Sequence, residues 1–435
     1  MSESTRREVL RTAVAAAAAS QARVFGANEK VNVAIVGLGG RGTNHLQEYV
    51  KNAGFHVAAI VDVNQAAQER AVAFVQREQN YAPKAYRDMR EAFADKSIDA
   101  VSIATPNHWH VLAALWAVQA GKDVYVEKPV SHNIFEGRQL TAAARKYSRI
   151  VQVGQQSRSL PHKQKAIQLL RNGAIGKVYL AKGMCYKRRK SIGHKPDTAT
   201  PAGVDWDLFL GPAPLRPFNE LRFKYNWHWF WDTGNGDIGN QGVHEMDVAL
   251  WGLGKTSFPK SVMSSGGKLL YHDDQETPNT QIAEYDFGDG THMQFEVRGL
   301  ITPADGGLDR RGPNCIGDTF FGEDGVLSMD GSGFRLFKGE DLKLELEEKA
   351  ARGVDTNAHI QNFLSAVKSR KHTDLNCDVA VGALSAACCH LANISYRLGR
   401  KLAIDPEAQR FVNDDEANRM LTRNYRAPYI VPERV

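Results

Sequence analysis

Two hydrophobic rhythms divide the chain. From Val31 to Val153, short unbroken apolar runs alternate with helical stretches. Val31–Val36, His56–Val61, Ile98–Ala104, Asp123–Val126 and Ile150–Val153 read as buried strands, and Thr43–Asn52, Gln65–Gln79, Asp88–Asp95, His108–Ala120 and Ile134–Tyr147 as helices. Strands apolar on both faces need helices above and below, so this region predicts a doubly wound parallel sheet. Beyond Gln155 the rhythm changes. A helix over Pro161–Arg171 and a strand over Val178–Lys187 precede a long glycine- and proline-rich loop. Short strands follow over Gln281–Phe287, Met293–Arg298, Thr319–Phe321, Gly325–Met329 and Phe334–Phe337. Phe287-Gly288-Asp289-Gly290 is hairpin chemistry, so this second sheet is expected to be mostly antiparallel and open. Helices over Ala358–Ser369 and Val379–Leu398 and an extended tail close the chain. The expectation is an α/β protein with a nucleotide domain over 28–154 and a larger α/β domain over 155–435.

Composition narrows the picture. At 435 residues, 43% hydrophobic and 24% charged, the chain has the makings of real cores, and neither disorder nor a disulfide miniprotein fits. The five cysteines form no C-x-x-C pair and read as core thiols. Arg6-Arg7 ahead of the alanine-rich stretch Thr12–Ser20 has the layout of a twin-arginine export signal, too short to span a bilayer. Residues 1–27 are assigned to it, and the mature protein is expected in the periplasm or otherwise exported. The net charge of +6 falls to +4 when the signal's four basic and two acidic residues are removed. The remaining charge is scattered, so neither nucleic-acid binding nor membrane insertion of the mature chain is expected. Its densest block, Lys187-Arg188-Arg189-Lys190, reads as a solvated loop or an anion contact.

The first strand runs into Gly37-Leu38-Gly39-Gly40-Arg41-Gly42 and then a helix. That order is what a dinucleotide fingerprint requires: a tight turn, close approach to a pyrophosphate, and a helix N-terminus facing the anion. Asp62 closes the second strand, where an acid hydrogen-bonds the adenosine ribose, and no basic residue follows at once. NAD is therefore favoured over NADP. Ligands of such sheets lie beyond the carboxyl ends of the strands, so Thr105-Pro106-Asn107-His108 and Glu127-Lys128-Pro129 should border the nicotinamide. Beside it, the Lys128 ammonium would stabilise the oxyanion forming on a carbinol. Just past the fifth predicted strand, Gln156 is assigned to the cofactor and Arg158 to the substrate.

The run from Trp227 to Asp247 is the second chemical cluster. A helix over about Gly239–Leu253 would put Asn240, His244 and Asp247 on one face. His244 is the candidate general base, with Asp247 orienting it or binding substrate, while His228 and Asn240 are candidate substrate contacts. Trp227, Trp229 and Trp231 either stack on sugar or pack. No metal is assigned, although His228, His244 and Asp247 could be imagined as ligands.

Taken together, Gly37-Leu38-Gly39-Gly40-Arg41-Gly42, Asp62, Thr105-Pro106-Asn107-His108 and Glu127-Lys128-Pro129 resemble the Gfo/Idh/MocA oxidoreductases, the group of glucose-fructose oxidoreductase and inositol dehydrogenase. The resemblance covers nearly all of the chain after the signal. It implies NAD(P)-linked oxidation or reduction at a CH–OH carbon of a sugar, glycoside or polyol. It also implies an open sheet used for association, here as a homodimer or homotetramer. Asn240 stands where the family commonly has Asp. A second expectation is redox-neutral glycoside cleavage by transient oxidation with retained NAD, as in relatives resembling NAD-dependent α-N-acetylgalactosaminidases.

Overall fold

The computed structural model describes residues 29–300, 314–351 and 356–435, so the export-signal reading lies outside the described residues. The first half runs β1 (Val31–Val36), α1 (Gly40–Lys51), β2 (Phe55–Val61), α2 (Gln65–Gln79), β3 (Lys84–Tyr86), α3 (Met89–Ala94), β4 (Ala100–Ile103), α4 (Asn107–Gln119), β5 (Asp123–Val126), α5 (Ile134–Lys146) and β6 (Val151–Val153). Its strands stand in the order β3-β2-β1-β4-β5-β6, every pair parallel. β1, β4 and β5 are buried almost throughout, as the unbroken apolar runs required. β3 was not predicted: three half-polar residues at the sheet edge carry no apolar run.

The second half continues with α6 (Pro161–Arg171), β7 (Val178–Tyr186), α7 (Trp206–Leu210), α8 (Gly236–Asn240), α9 (Gly242–Gly252), β8 (Ser261–Gly267), β9 (Thr280–Asp286), β10 (His292–Arg298), β11 (Cys315–Gly322), β12 (Gly325–Asp330), β13 (Gly333–Lys338), β14 (Lys343–Lys349), α10 (Thr356–Ser369), α11 (Val379–Leu398), β15 (Leu402–Asp405), β16 (Arg410–Phe411) and α12 (Asp415–Arg419). Ten strands form one sheet, antiparallel except where β10 lies parallel to β7. A single apolar cluster joins α6, α9 and α11 to the sheet through Ile167, Met246, Cys388, Phe295 and Phe320. α11 has the length and apolarity of a membrane span, but most of it is buried in this core. The opposite face is open: Met263 and Ile282, which alternate with buried neighbours on β8 and β9, are 52% and 46% exposed.

The single helix expected over Gly239–Leu253 is instead two, α8 and α9, meeting at Gln241. Gln241 keeps right-handed dihedrals (φ −77°, ψ −43°), so the chain tightens there rather than turning away.

Candidate functional site

The glycine turn fits a dinucleotide. Gly37 has φ +85°, and a Cβ on Gly42 would lie 1.7 Å from the Gly37 carbonyl oxygen, so these positions admit no side chain without moving the turn. At Gly39 and Gly40 a Cβ would meet nothing within 4 Å, which leaves open space in front of the α1 N-terminus. No side chain caps that terminus. Asp62 ends β2 beside the turn, its Oδ2 accepting from the Leu38 N–H (2.5 Å) and its Oδ1 from Asn64 (2.8 Å). Burial raises this carboxyl above its ordinary range, against the lowering by those N–H donors. Thr105 Oγ1, Asn107 Oδ1 and one Arg41 nitrogen are buried with no hydrogen-bond partner.

Glu127, 3% exposed, is the hub of the adjoining polar cluster. Its Oε1 meets Arg41 Nε (2.7 Å), His45 Nε2 (2.9 Å) and Gln156 Nε2 (3.1 Å), and its Oε2 accepts from the Lys128 main-chain N–H (3.2 Å). Burial opposes its ionisation, but Arg41, His45 and Lys128 outweigh burial and hold the carboxyl well below the usual range. Arg41 and Gln156, both assigned to the cofactor from sequence, are therefore turned onto Glu127. His45, one helical turn after Arg41, was missed; the only signal was that i, i+4 spacing. His110, also missed, spans the two strand-end turns, with one ring nitrogen 2.7 Å from the Pro129 carbonyl and the other 2.9 Å from that of Thr105.

Three other assignments change partners. His108, placed at the nicotinamide from sequence, is 1% exposed and directs Nε2 to the Phe209 carbonyl (3.0 Å); burial takes its pKa down to about 3. Asn107 is hydrogen bonded to Asn235. Asp247 is fully buried, accepting from Arg158 Nε (2.7 Å), Arg158 Nη2 (3.0 Å) and Ser385 (2.7 Å). Its hydrogen bonds thus go to Arg158 and Ser385 and not to His244, and Arg158 spends its fork on it while stacking 4.9 Å from the Trp251 ring centre. The pair is a buried brace between β6's exit and α9.

Lys128 and His244 do come together. Lys128 follows β5 and extends its Nζ 3.0 Å from the main-chain oxygen of Asn240. That oxygen is available because the His244 N–H turns to Gln241 (3.1 Å), so the tightened turn between α8 and α9 makes the anchor. Burial lowers the ammonium's pKa; Glu127 works against this, and Arg41 and Lys187 add to it. His244 is half-buried, and its imidazole has no hydrogen-bond partner among the described residues. Burial, followed by the Lys128 charge, holds its imidazole well below the usual pKa, so it is neutral near pH 7 and able to take a proton.

Around them stand residues from the long loop. His228 Nδ1 donates to the Tyr225 carbonyl (2.5 Å), which leaves Nε2 as an acceptor, and its ring lies on Trp227 at 3.6 Å between centroids. Trp227 stacks on this histidine, while Trp229 is 4% exposed and packs. The Asn240 side chain donates to Tyr225 Oη (3.1 Å), which also accepts from Arg189 Nη1 (2.9 Å). Arg189 in turn grips Asp237 with two nitrogens, at 2.9 and 2.6 Å. The loop is also stitched to the nucleotide side: Gln65 N–H donates to the Gly203 carbonyl and Asp205 N–H to the Val63 carbonyl, both 2.9 Å, just beyond Asp62. Among the described residues, no three His, Cys, Asp or Glu side chains stand together as a metal site.

These features match a known group over both halves of the chain. The oxidoreductase family with an NAD-binding Rossmann fold matches residues 31–155, and the C-terminal alpha/beta domain of the same family matches 177–299 and 319–431. The chain belongs to the Gfo/Idh/MocA oxidoreductase family. Residues 31–155 are an NAD-binding Rossmann domain, as the glycine turn and Asp62 predicted. An alpha-N-acetylgalactosaminidase of Shewanella oneidensis is 32% identical over 120 residues, 27% of this chain and 26% of that one. This chain spans about a quarter of the length of such curated relatives. Among solved structures, the WlbA dehydrogenase of Bordetella pertussis in complex with NADH and UDP-GlcNAcA superposes with a TM-score of 0.66 at 20% identity, covering 87% of this chain and 99% of that one. The aldose-aldose oxidoreductase of Caulobacter crescentus complexed with glycerol gives 0.64 at 16% identity, covering 86% and 100%. Both share the fold.

Proposed function

We propose that this family member is an NAD-dependent oxidoreductase acting on a CH–OH carbon of a sugar, glycoside or polyol. The observation that carries the reading is the Lys128 ammonium, anchored on the Asn240 carbonyl, acting on the neutral, unpartnered imidazole of His244. Bound NAD supplies the hydride acceptor. His244 takes the hydroxyl proton as the carbinol C–H electrons leave as hydride, and Lys128 stabilises the oxygen as negative charge builds before the carbonyl closes. Gly37, Gly39 and Gly42 with the α1 N-terminus hold the pyrophosphate, and Asp62 accepts from the ribose. The Arg6-Arg7 pair supports export of the folded protein, and the open face carrying Met263 and Ile282 supports association as a homodimer or homotetramer. The test is reduced-nicotinamide absorbance on adding members of a sugar panel, and loss of that signal in Lys128→Met. A Lys128→Met protein that oxidises the same sugar at the normal rate overturns the assignment.

A second reading has its own support. The loop stitched over the Asp62 end of β2 favours a cofactor held between turnovers, and the similarity to an alpha-N-acetylgalactosaminidase lies in a glycoside-cleaving enzyme. In that case oxidation at one carbon is transient, and a glycoside loses its aglycone with no net NADH. Denaturing the purified protein and assaying released NAD, alongside aglycone release, separates the two readings.

A further inference from the structure

Two ammonium groups are tied to consecutive residues at the junction of α8 and α9. Lys128 Nζ donates to the Asn240 carbonyl (3.0 Å) and Lys187 Nζ to the Gln241 side-chain oxygen (2.9 Å). Neither lies within ion-pair distance of a carboxylate among the described residues. Two nearby arginines are matched, Arg41 with Glu127 at 2.7 Å and Arg189 with Asp237 at 2.6 Å, while the buried Lys163 lies on the Glu245 and Asp318 side. Each ammonium has three donors and uses one here, so two remain on each. Tyr225 Oη accepts from both Arg189 and Asn240, which leaves its own O–H to donate, and its side chain is on the surface, 50% exposed. The region around Lys128 is thus rich in unmatched donors and carries more positive charge than its paired acids cancel. Lys128 is already assigned to the reacting oxygen. Among the described residues Lys187 Nζ donates only to the Gln241 amide, whose Nε2 reaches Glu245 Oε2 at 3.5 Å; the buried Glu245 carboxyl feels the Lys187 charge but does not pair with it directly.

We propose that the substrate is a monoanionic sugar, a uronate or a sulfate ester, whose charged group is received by Lys187 with the help of the Tyr225 hydroxyl. A carboxylate or sulfate is an acceptor-only group and matches the donors left over, whereas a neutral hydroxymethyl group would leave them without a charged partner. The Lys187-to-Lys190 block, which in sequence reads as a solvated loop or an anion contact, is at Lys187 the latter. This inference rests on the sugar-oxidoreductase reading above, because it places the anion beside the carbinol that Lys128 serves.

The test compares methyl glycosides of glucose, galactose and mannose in three forms: neutral, C6-carboxylate and 6-sulfate. Binding is measured by calorimetry on the full-length protein saturated with NAD, and turnover by reduced-nicotinamide absorbance. At least one anionic form should bind about tenfold or more tighter than its neutral parent, the effect of one charge-assisted hydrogen bond. Lys187→Gln should abolish that preference and Lys187→Arg restore most of it. Whether carboxylate or sulfate binds tells which anion is meant. Neutral glycosides bound as well as anionic ones, or a preference unchanged in Lys187→Gln, overturns the proposal while oxidation of any of them keeps the sugar-oxidoreductase reading. Preferential anion binding without oxidation overturns that reading and keeps the Lys187 site. No binding in any form overturns both.

Discussion

Lys128 and Asn240, 112 residues apart in sequence, are joined by one hydrogen bond from an ammonium to a main-chain oxygen. The bond fixes a flexible four-carbon side chain at the place where β5 ends and two short helices meet. Removing it is the first expected loss. Lys128→Met should lower kcat by about a hundredfold to a thousandfold, the range for deleting one preorganised donor to an oxyanion. NAD affinity should change far less, because the glycine turn and Asp62 are untouched. Stopped-flow hydride transfer with separate NAD titration checks this.

His244 should set the acid limb of the pH profile. Its folded pKa lies below the ordinary 6.5, so kcat/KM should stay level as pH falls through 6.5 and decline only lower down. A limb centred at or above 6.5 contradicts the assignment. His244→Asn should remove the limb along with most of the rate.

Asp247→Asn should act on stability, not on chemistry. The substitution leaves the buried Arg158 charge without its counter-ion, a loss of roughly 3–5 kcal/mol. Thermal unfolding should shift down by many degrees, while the folded fraction keeps its pH profile. A normal Tm with a collapsed kcat would return Asp247 to the catalytic list.

How far such roles can be read from sequence alone is clear from these two acids and bases. His244 stands out in sequence because of the polar, glycine-flanked stretch around it, and the structure brings it near Lys128, whose charge acts on its imidazole. Asp247 was misread because helical spacing shows which residues share a face but not what that face meets. Its partners, Arg158 and Ser385, come from 89 and 138 residues away. The parallel sheet was legible because strands buried on both faces are unbroken apolar runs. β8, rich in serine and glycine, β14, with charged residues at five of seven positions, and the short β15 and β16 carry no such run and were not predicted. The break at Gln241 was invisible because the residue itself keeps helical dihedrals.

Glu245 offers a check by pH. It is 4% exposed, and burial raises its carboxyl from 4.5 to about 7 against the lowering by Lys163. A raised carboxyl contributes stability that is full below the unfolded pKa and is lost as pH rises through the folded one. The wild type should therefore lose roughly 3 kcal/mol between pH 4.5 and 7 on this account, at about 1.4 kcal/mol for each unit. Glu245→Gln should flatten that part of the stability curve. Chemical denaturation at a series of pH values measures the difference.

Gly42→Ala should destroy nucleotide binding. Its new methyl would sit 1.7 Å from the Gly37 oxygen, so either α1 or the turn must move and the pyrophosphate cradle with it. Fluorescence titration with NADH should show no saturable binding in a protein that still unfolds cooperatively.

The two main-chain hydrogen bonds from Gln65 and Asp205 have a kinetic consequence. The strip at Gly203–Asp205 belongs to the same loop that carries Tyr225 and His228. If the dinucleotide lies against Asp62 as proposed, this strip is hydrogen bonded beside its adenosine end, and loosening it would also loosen the loop proposed to hold the sugar. The proposed function therefore predicts ordered kinetics, with the dinucleotide binding first and leaving last, and product-inhibition patterns would check that order.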